Sequence, residues 1–444
     1  MVFADEQISG KQWPHSRLTA VFIALPVLLS PILAIASAKM SPASLVLTAA
    51  TIAAFAYVRG GIATARFART LQRDSVVLSI LAFAAFAGLS ALWSPVPTAS
   101  LLAAGSLVGV IACAYAGISL AAGEFELPER HLAEGLWVGF LIATIYYLCD
   151  VVSGQTIKVW AYNAIGIDPS FVTSQWVVFK NGKVVKFALS DETRNAFAIP
   201  LLIWPALMAA DCISKTKVKC VIKGLLIAVA AGGVFLSPND TAKLAIVFGA
   251  MAFGAARLSR IWSLRFVIGI WLIVCLLALP VASGLDGSRF EKAARMPPNG
   301  RARIKIWRST AAETYKSPLI GIGANASSAV SKRMVELRND PAQAVTVPVG
   351  FVPAAHAHNI YLQTWYELGV CGAALLFIFG LGILLRIGQL PERTFAFGLA
   401  TFASGAMLAS SSSGLWQLWF LAMFGWAGCA FQIGRQILER DNGE

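Results

Sequence analysis

Apolar segments of about twenty residues recur along almost the whole chain, and this repetition admits one class of fold. In hydrocarbon a backbone amide has no water to bond, so a segment of that kind crosses as a helix. At ~20 residues per crossing the sequence gives about twelve spans. They fall at residues 18–38, 43–58, 76–92, 100–122, 133–152, 196–213, 221–236, 241–256, 266–283, 359–385, 394–412 and 416–433. The expected fold class is an all-α polytopic membrane protein, with residues 1–444 as a single integral membrane domain. Only 13% of residues are charged, against about 25% in soluble domains, which excludes a string of soluble modules. Residues 1–17 are polar, so the first apolar run reads as a retained helix and not a cleaved signal peptide.

Basic residues orient the spans. Lys11 and Arg17 precede the first. Arg59, Arg66, Arg69 and Arg73 follow the second, and Lys215, Lys217, Lys219 and Lys223 the sixth. Arg257, Arg260 and Arg265 follow the eighth, Arg386 and Arg393 the tenth, and Arg435 and Arg440 the twelfth. Each lies before the first span or at an even-numbered exit, so the positive-inside rule puts both termini in the cytoplasm. The fourth exit is weaker, with Glu124, Glu126, Glu129 and Arg130. The net charge of +13 thus belongs in part to cytoplasmic loops and does not call for a nucleic-acid partner.

The opposite face then carries two long loops, 153–195 and 284–358. The second holds Arg289, Lys292, Arg295, Arg301, Arg303, Lys305, Arg308, Lys316, Lys332, Arg333 and Arg338. A loop this long escapes the positive-inside rule. Two readings stand for its charge: a solvated surface near anionic headgroups, or a dock for an anionic glycolipid or diphosphate. Within it, residues 304–315 have helical spacing, after a turn at Pro297-Pro298-Asn299-Gly300 and before Pro318 and Gly321-Ile322-Gly323. Short amphipathic helices over the membrane face are expected there.

The richest stretch joins this loop to the tenth span. His356 and His358 are two of the four histidines, and they precede a long apolar helix. If His358 and Asn359 form its first turn, the helix dipole favours a neutral ring, which suits a general base, and also favours a bound anion. The alternative is an interfacial histidine bonded to loop carbonyls. His356, two residues earlier, is expected to face elsewhere and to orient the loop. Glu367 lies on the order of 13 Å below His358 at 1.5 Å per residue. A carboxylate at that depth is either functional or a structural partner for buried groups. Gly369, Gly372, Gly380 and Gly382 suggest close helix packing. Arg194 and Asn195 at the sixth span, Lys243 just inside the eighth, and Arg301 and Arg303 in the large loop are expected on the His358 side. Each cation either contacts phosphate or simply snorkels or is solvated. Asp191, Glu192 and Asp340 read as solvated loop acids, and neither a metal site nor a cofactor motif is signalled.

These residues resemble the O-antigen ligase and polymerase superfamily of bacterial membrane glycosyltransferases. The resemblance is carried by His358-Asn359, nine residues, then Gly369-Val370-Cys371-Gly372. It extends to Arg303-Ile304-Lys305-Ile306-Trp307 with Pro318-Leu319-Ile320-Gly321-Ile322-Gly323. Family members often carry Ser or Thr followed by Arg near the eighth span, where this chain reads Asp240-Thr241-Ala242-Lys243. The resemblance implies a GT-C-like fold in the bacterial inner membrane with a periplasmic site. It implies transfer of a polysaccharide from undecaprenyl diphosphate to lipid A-core, with no cofactor and no metal. His358 would then be the catalytic base, and Arg303, Arg301, Arg194 and Lys243 the diphosphate contacts, with His356, Asn359 and Glu367 in support. An O-antigen polymerase or a protein O-oligosaccharyltransferase would share the donor. A transporter or flippase for an anionic lipid would instead spread its charges through the spans.

Overall fold

A computed structural model of the protein describes residues 17–60, 74–121, 129–166, 177–188, 193–285, 298–339, 352, 354–411 and 413–440. Lys11, Arg66, Arg69, Arg73, Glu124, Glu126, Asp191, Glu192, Arg289, Lys292, Arg295, Pro297 and Asp340 lie outside the described residues.

In chain order the helices are α1 (Arg17–Ala36), α2 (Ser41–Gly60), α3 (Ser75–Leu89), α4 (Pro97–Ala121), α5 (Glu129–Val152) and α6 (Thr156–Ile165). After the strands β1 (Val177–Lys180) and β2 (Lys183–Phe187) come α7 (Ala198–Ala209), α8 (Thr216–Leu236), α9 (Asp240–Leu258) and α10 (Arg260–Gly284). The chain continues with α11 (Pro298–Thr314), α12 (Ser327–Asn339), α13 (Ile360–Ile387), α14 (Glu392–Ser410) and α15 (Leu418–Arg440). Nine helices among the described residues are long and apolar enough to cross a membrane. They account for every expected span except the first and the last two. Those three are helical as well. The helix α1 packs on α5 and α2, α14 on α9 and α7, and α15 on α7, α4 and α2.

The helix α7 sits at the centre. All twelve of its residues are buried, as expected of a helix that is apolar all round and touches protein on every side. Trp204 on α7 donates to the Ser404 hydroxyl on α14 (3.0 Å), which donates to the Ala245 carbonyl on α9 (3.0 Å). Polar links of this kind replace the missing hydrophobic drive between helices in lipid. Small residues do the same for α1 and α5: a Cβ added at Gly139 would lie 2.2 Å from the Leu28 carbonyl oxygen.

Two local structures differ from what the sequence leads one to expect. The loop after α5 contains an antiparallel β1–β2 hairpin, turned at Asn181 (φ 52°) and Gly182 (φ 73°). An Asn-Gly pair between β-branched runs is the sequence signature of that turn. And α11 begins at Pro298, so Gly300, expected in a turn, is inside the helix. Proline suits a first helical position because its missing N–H would be unpaired there anyway.

The longest helix, α13, is broken at Gly369 (φ 63°, ψ −162°). This corrects the expectation that Gly369 is a packing glycine within a continuous span. Residues 318–323 lie in the gap. The amides of Val370 and Cys371 donate to the carbonyls of Pro318 and Leu319 (2.9 and 3.3 Å). In return, the amides of Ile322 and Gly323 donate to the carbonyls of Tyr366 and Glu367 (3.2 and 2.8 Å). Non-helical backbone within a span is tolerable only where such groups are paired inside the protein. A Cβ at Gly369 would sit 2.3 Å from the Leu319 carbonyl carbon, and one at Gly321 (φ 67°) 2.3 Å from that of Glu367. Gly380 does serve packing, since its missing Cβ makes room for Trp271, which donates to the Phe377 carbonyl (3.0 Å).

Gly369→Ala combines a clash with left-handed strain and should destabilise the protein by about 2 kcal/mol or more. Thermal unfolding of the purified chain in detergent measures this. Gly382→Ala keeps helical backbone and asks only that a Val76 methyl, 3.2 Å from the new Cβ, give way by a few tenths of an ångström, so it should cost clearly less.

Candidate functional site

Five segments meet at one end of the bundle: 193–195, 239–243, 303–307, 354–359, and 411 with 413–417. Each is placed by bonds that its own sequence dictates. Asn239 caps α9 by accepting from the Ala242 amide (2.9 Å), and its Nδ2 donates to the Thr193 carbonyl. Asn195 takes the Ala38 amide (2.9 Å) and gives to the Ala36 carbonyl (3.1 Å), fixing the entry to α7 against the end of α1.

The histidine loop is laced to α11 and α12. The Val352 amide donates to Ser309 Oγ (3.0 Å), and the Ala354 amide to Ser331 Oγ (2.9 Å). Trp307 donates from Nε1 to the carbonyl of Ala357, between the two histidines (2.9 Å). Asn359 is the N-cap of α13 and accepts from the Leu362 amide (3.0 Å). His358 therefore stands one residue ahead of the cap, outside the helical turn in which it was expected. Its φ of 54° is left-handed, uncommon for a residue with a side chain and characteristic of strained functional positions.

His356 does not face elsewhere. Its ring centroid lies 4.2 Å from that of His358, at an interplanar angle of 49°. Gly414 leaves room for it, since a Cβ there would come within 3.1 Å of the ring. Burial, then the neighbouring His358, then Arg194 push the His356 imidazole down to about 4. The Arg194 field thus reaches the histidine pair.

Arg303 points into the same region. It donates to Ser411 Oγ and, at 3.5 Å, to Thr241 Oγ1, while Thr241 donates to the Ser411 carbonyl (2.9 Å). Burial lowers its pKa, and the charge of Asp240 partly offsets this. Lys243 reaches Asp240 (3.1 Å), so the two cations share one carboxylate's field. Arg301 is not on that side: helical periodicity puts it with Lys305 and Arg308, across α11 from Arg303 and Trp307.

Glu367 is fully buried. It accepts from the Asn325 amide (2.9 Å), the Ser327 amide (3.3 Å) and hydroxyl, Gln363 Nε2 (3.1 Å) and Trp416 Nε1. Two of these donors are backbone amides and three are side chains of the protein itself. It ties the start of α12 and the 411–417 loop to α13, and Gln363 adds a bond from the Leu415 amide (2.9 Å).

The sequence reading missed Trp307 as a support of the histidine loop and missed the loop 411–417 altogether. The signal was present. That loop leaves the eleventh span on the His358 side and carries Ser-Ser-Ser-Gly-Leu-Trp, polar and aromatic residues between two apolar runs. Among the described residues no group of three or more His, Cys, Asp and Glu is placed to hold a metal ion.

His356 favours the native state while neutral. Its contribution is complete above its ordinary pKa of ~6.5 and is lost as pH falls towards about 4. Thermal stability followed from pH 7 to pH 4 should therefore decline, and His356→Gln should flatten part of that decline.

Residues 225–377 match the family model described as O-Antigen ligase. No curated protein matches the chain. The matched segment runs from α8 into α13 and includes Lys243, Arg301, Arg303, His356, His358 and Glu367. Arg194 and Ser411 lie outside it.

Proposed function

We propose, with the O-antigen ligase family assignment supported by residues 225–377 as the premise, that this chain is a metal-independent, inverting membrane glycosyltransferase. Its place would be the bacterial inner membrane, with the site facing the periplasm and both termini in the cytoplasm. The donor would be a polysaccharide on undecaprenyl diphosphate and the acceptor a sugar hydroxyl of lipid A-core. The family supports an O-antigen ligase or polymerase type of activity and a lipid-linked polysaccharide substrate. The ligase reading follows the description of the matched family.

The observation that carries the mechanism is the paired histidine loop beside a half-buried arginine. His358 takes the proton of the acceptor hydroxyl. The hydroxyl oxygen bonds to the anomeric carbon as the bond from that carbon to the diphosphate oxygen breaks, with inversion. The electron pair leaves with undecaprenyl diphosphate, whose charge Arg303 meets, with Arg194 and Lys243 nearby. The base role falls to His358 because a ring held near 4, like that of His356, has little drive to take a proton at neutral pH. His356 then positions its neighbour. Arg301, on the outer side of α11, serves approach of anionic substrate rather than the departing group.

Removing a general base costs roughly 10²–10⁴-fold in rate. Purified protein given undecaprenyl-diphosphate glycan and lipid A-core, without added metal, should form coupled product, and His358→Gln should lose activity on that scale. Wild-type-like transfer by His358→Gln would remove it as the base. Arg303→Ala should abolish transfer while still inserting in the membrane, and Arg301→Ala should mainly raise the donor concentration needed.

A further inference from the structure

The helix α6 and the β1–β2 hairpin form a small module that the proposed reaction does not use. Its attachment to the bundle is rigid. After α5 the chain turns through Gly154 (φ 63°) and Gln155 (φ 72°), and the Gln155 amide returns to the Asp150 carbonyl (2.8 Å). The buried Asp150 carboxylate accepts from the Lys158 amide (3.0 Å) in the first turn of α6. Gln155 Oε1 takes the Phe187 amide of β2 (3.1 Å), and Asn163 both gives to and takes from Val184 (2.8 and 2.9 Å). Val177, Val184 and Phe187 make a small core with Val159 and Tyr162, and Lys158 lies over the Phe187 ring at 4.5 Å.

With one face of α6 committed to the hairpin, the other is left bare. Ile157, Trp160, Ala161, Ala164 and Ile165 follow helical spacing along it, and Trp160 and Ile165 are 71% and 73% exposed. No charged residue interrupts this stripe, since the helix's single charge, Lys158, is buried on the hairpin side. The stripe starts at Ile157, five residues after α5 ends at Val152, itself 69% exposed. That end of α5 closes an outward apolar row of Ile142, Ile145 and Cys149 on a helix long and apolar enough to cross a membrane. The apolar surface of a span thus continues onto a short helix locked at its mouth, with a tryptophan at the level where aromatic side chains prefer the interface.

We propose that α6 is an interfacial helix whose Ile157–Trp160–Ile165 stripe is seated in the headgroup and acyl boundary of the bilayer, with the hairpin carried on its aqueous side. The occupant is the lipid surface, because the stripe extends a lipid-facing span and lacks charge. The hairpin's outward face, with Val178, Lys180, Lys183 and Lys186 exposed, is the aqueous one.

The test uses the full chain in phospholipid nanodiscs, with the seven native cysteines replaced by alanine or serine and one spin label introduced at Trp160→Cys, Ile165→Cys or Val178→Cys. Oxygen, which partitions into lipid, should relax the labels at 160 and 165 more strongly than a water-soluble nickel chelate does, and the order should reverse at 178. Two independent stripe positions guard against a single variant that misfolds. Nickel dominance at both 160 and 165 would overturn the proposal and leave the stripe as an aqueous platform for glycan. Labels screened from both relaxants would overturn it in favour of contact with a second protein chain.

Discussion

A short extended segment fills a break in a membrane-spanning helix, and the site depends on that one arrangement. The carbonyls and amides exposed where α13 is interrupted at Gly369 are met by residues 318–323. The two glycines that permit the approach, Gly321 and Gly369, each lie against the other segment's backbone. Glu367 occupies the same junction and gathers the start of α12 and the 411–417 loop around its carboxylate. The histidine loop rests on α11 and α12, and Arg303 rests on Ser411. Both halves of the site are therefore referred back to one point inside the protein. A buried carboxylate there is costly unless every lone pair is used, and five donors surround this one.

Much of the fold could be read from the sequence because lipid simplifies the problem. Apolar length alone placed the helices now seen as α2–α5, α7–α10 and α13. The face on which Arg194, Lys243, Arg303 and His358 meet followed from counting crossings. The hairpin was also legible, from Asn181-Gly182 between Val-Val-Phe and Lys-Val-Val, in a segment read only as part of a long loop. The break at Gly369 was not legible in the same way. Glycine is common in membrane helices as a packing residue, and what distinguishes Gly369 is a partner some fifty residues earlier in the chain. Similarly, nothing in the spacing of His356 and His358 brings their rings together. That depends on the left-handed turn at His358 and on the space left by Gly414.

The two histidines differ in what surrounds them, and this separates their roles. His356 is pressed between a neighbouring ring, a glycine surface and the Arg194 field, and stays neutral. His358 holds a strained backbone at the threshold of α13. Both are placed by Trp307, whose indole bonds the carbonyl of the residue between them. The membrane-embedded scaffold thus acts on the proposed chemistry through tryptophan and serine bonds to loop backbone.

Arg303 and Trp307 lie four residues apart on α11, one turn of the same helix, with about 6 Å of rise between them. One grips the loop after α14 and the other grips the loop before α13. The distance between the cation and the histidines is thus gauged by a helical turn, whose length does not change when the bundle breathes. Transmembrane helices that tilt to admit a bulky lipid-linked chain would carry α11 along as a spacer bar, so the entrance could widen while the interval between the two charge-handling groups stays constant.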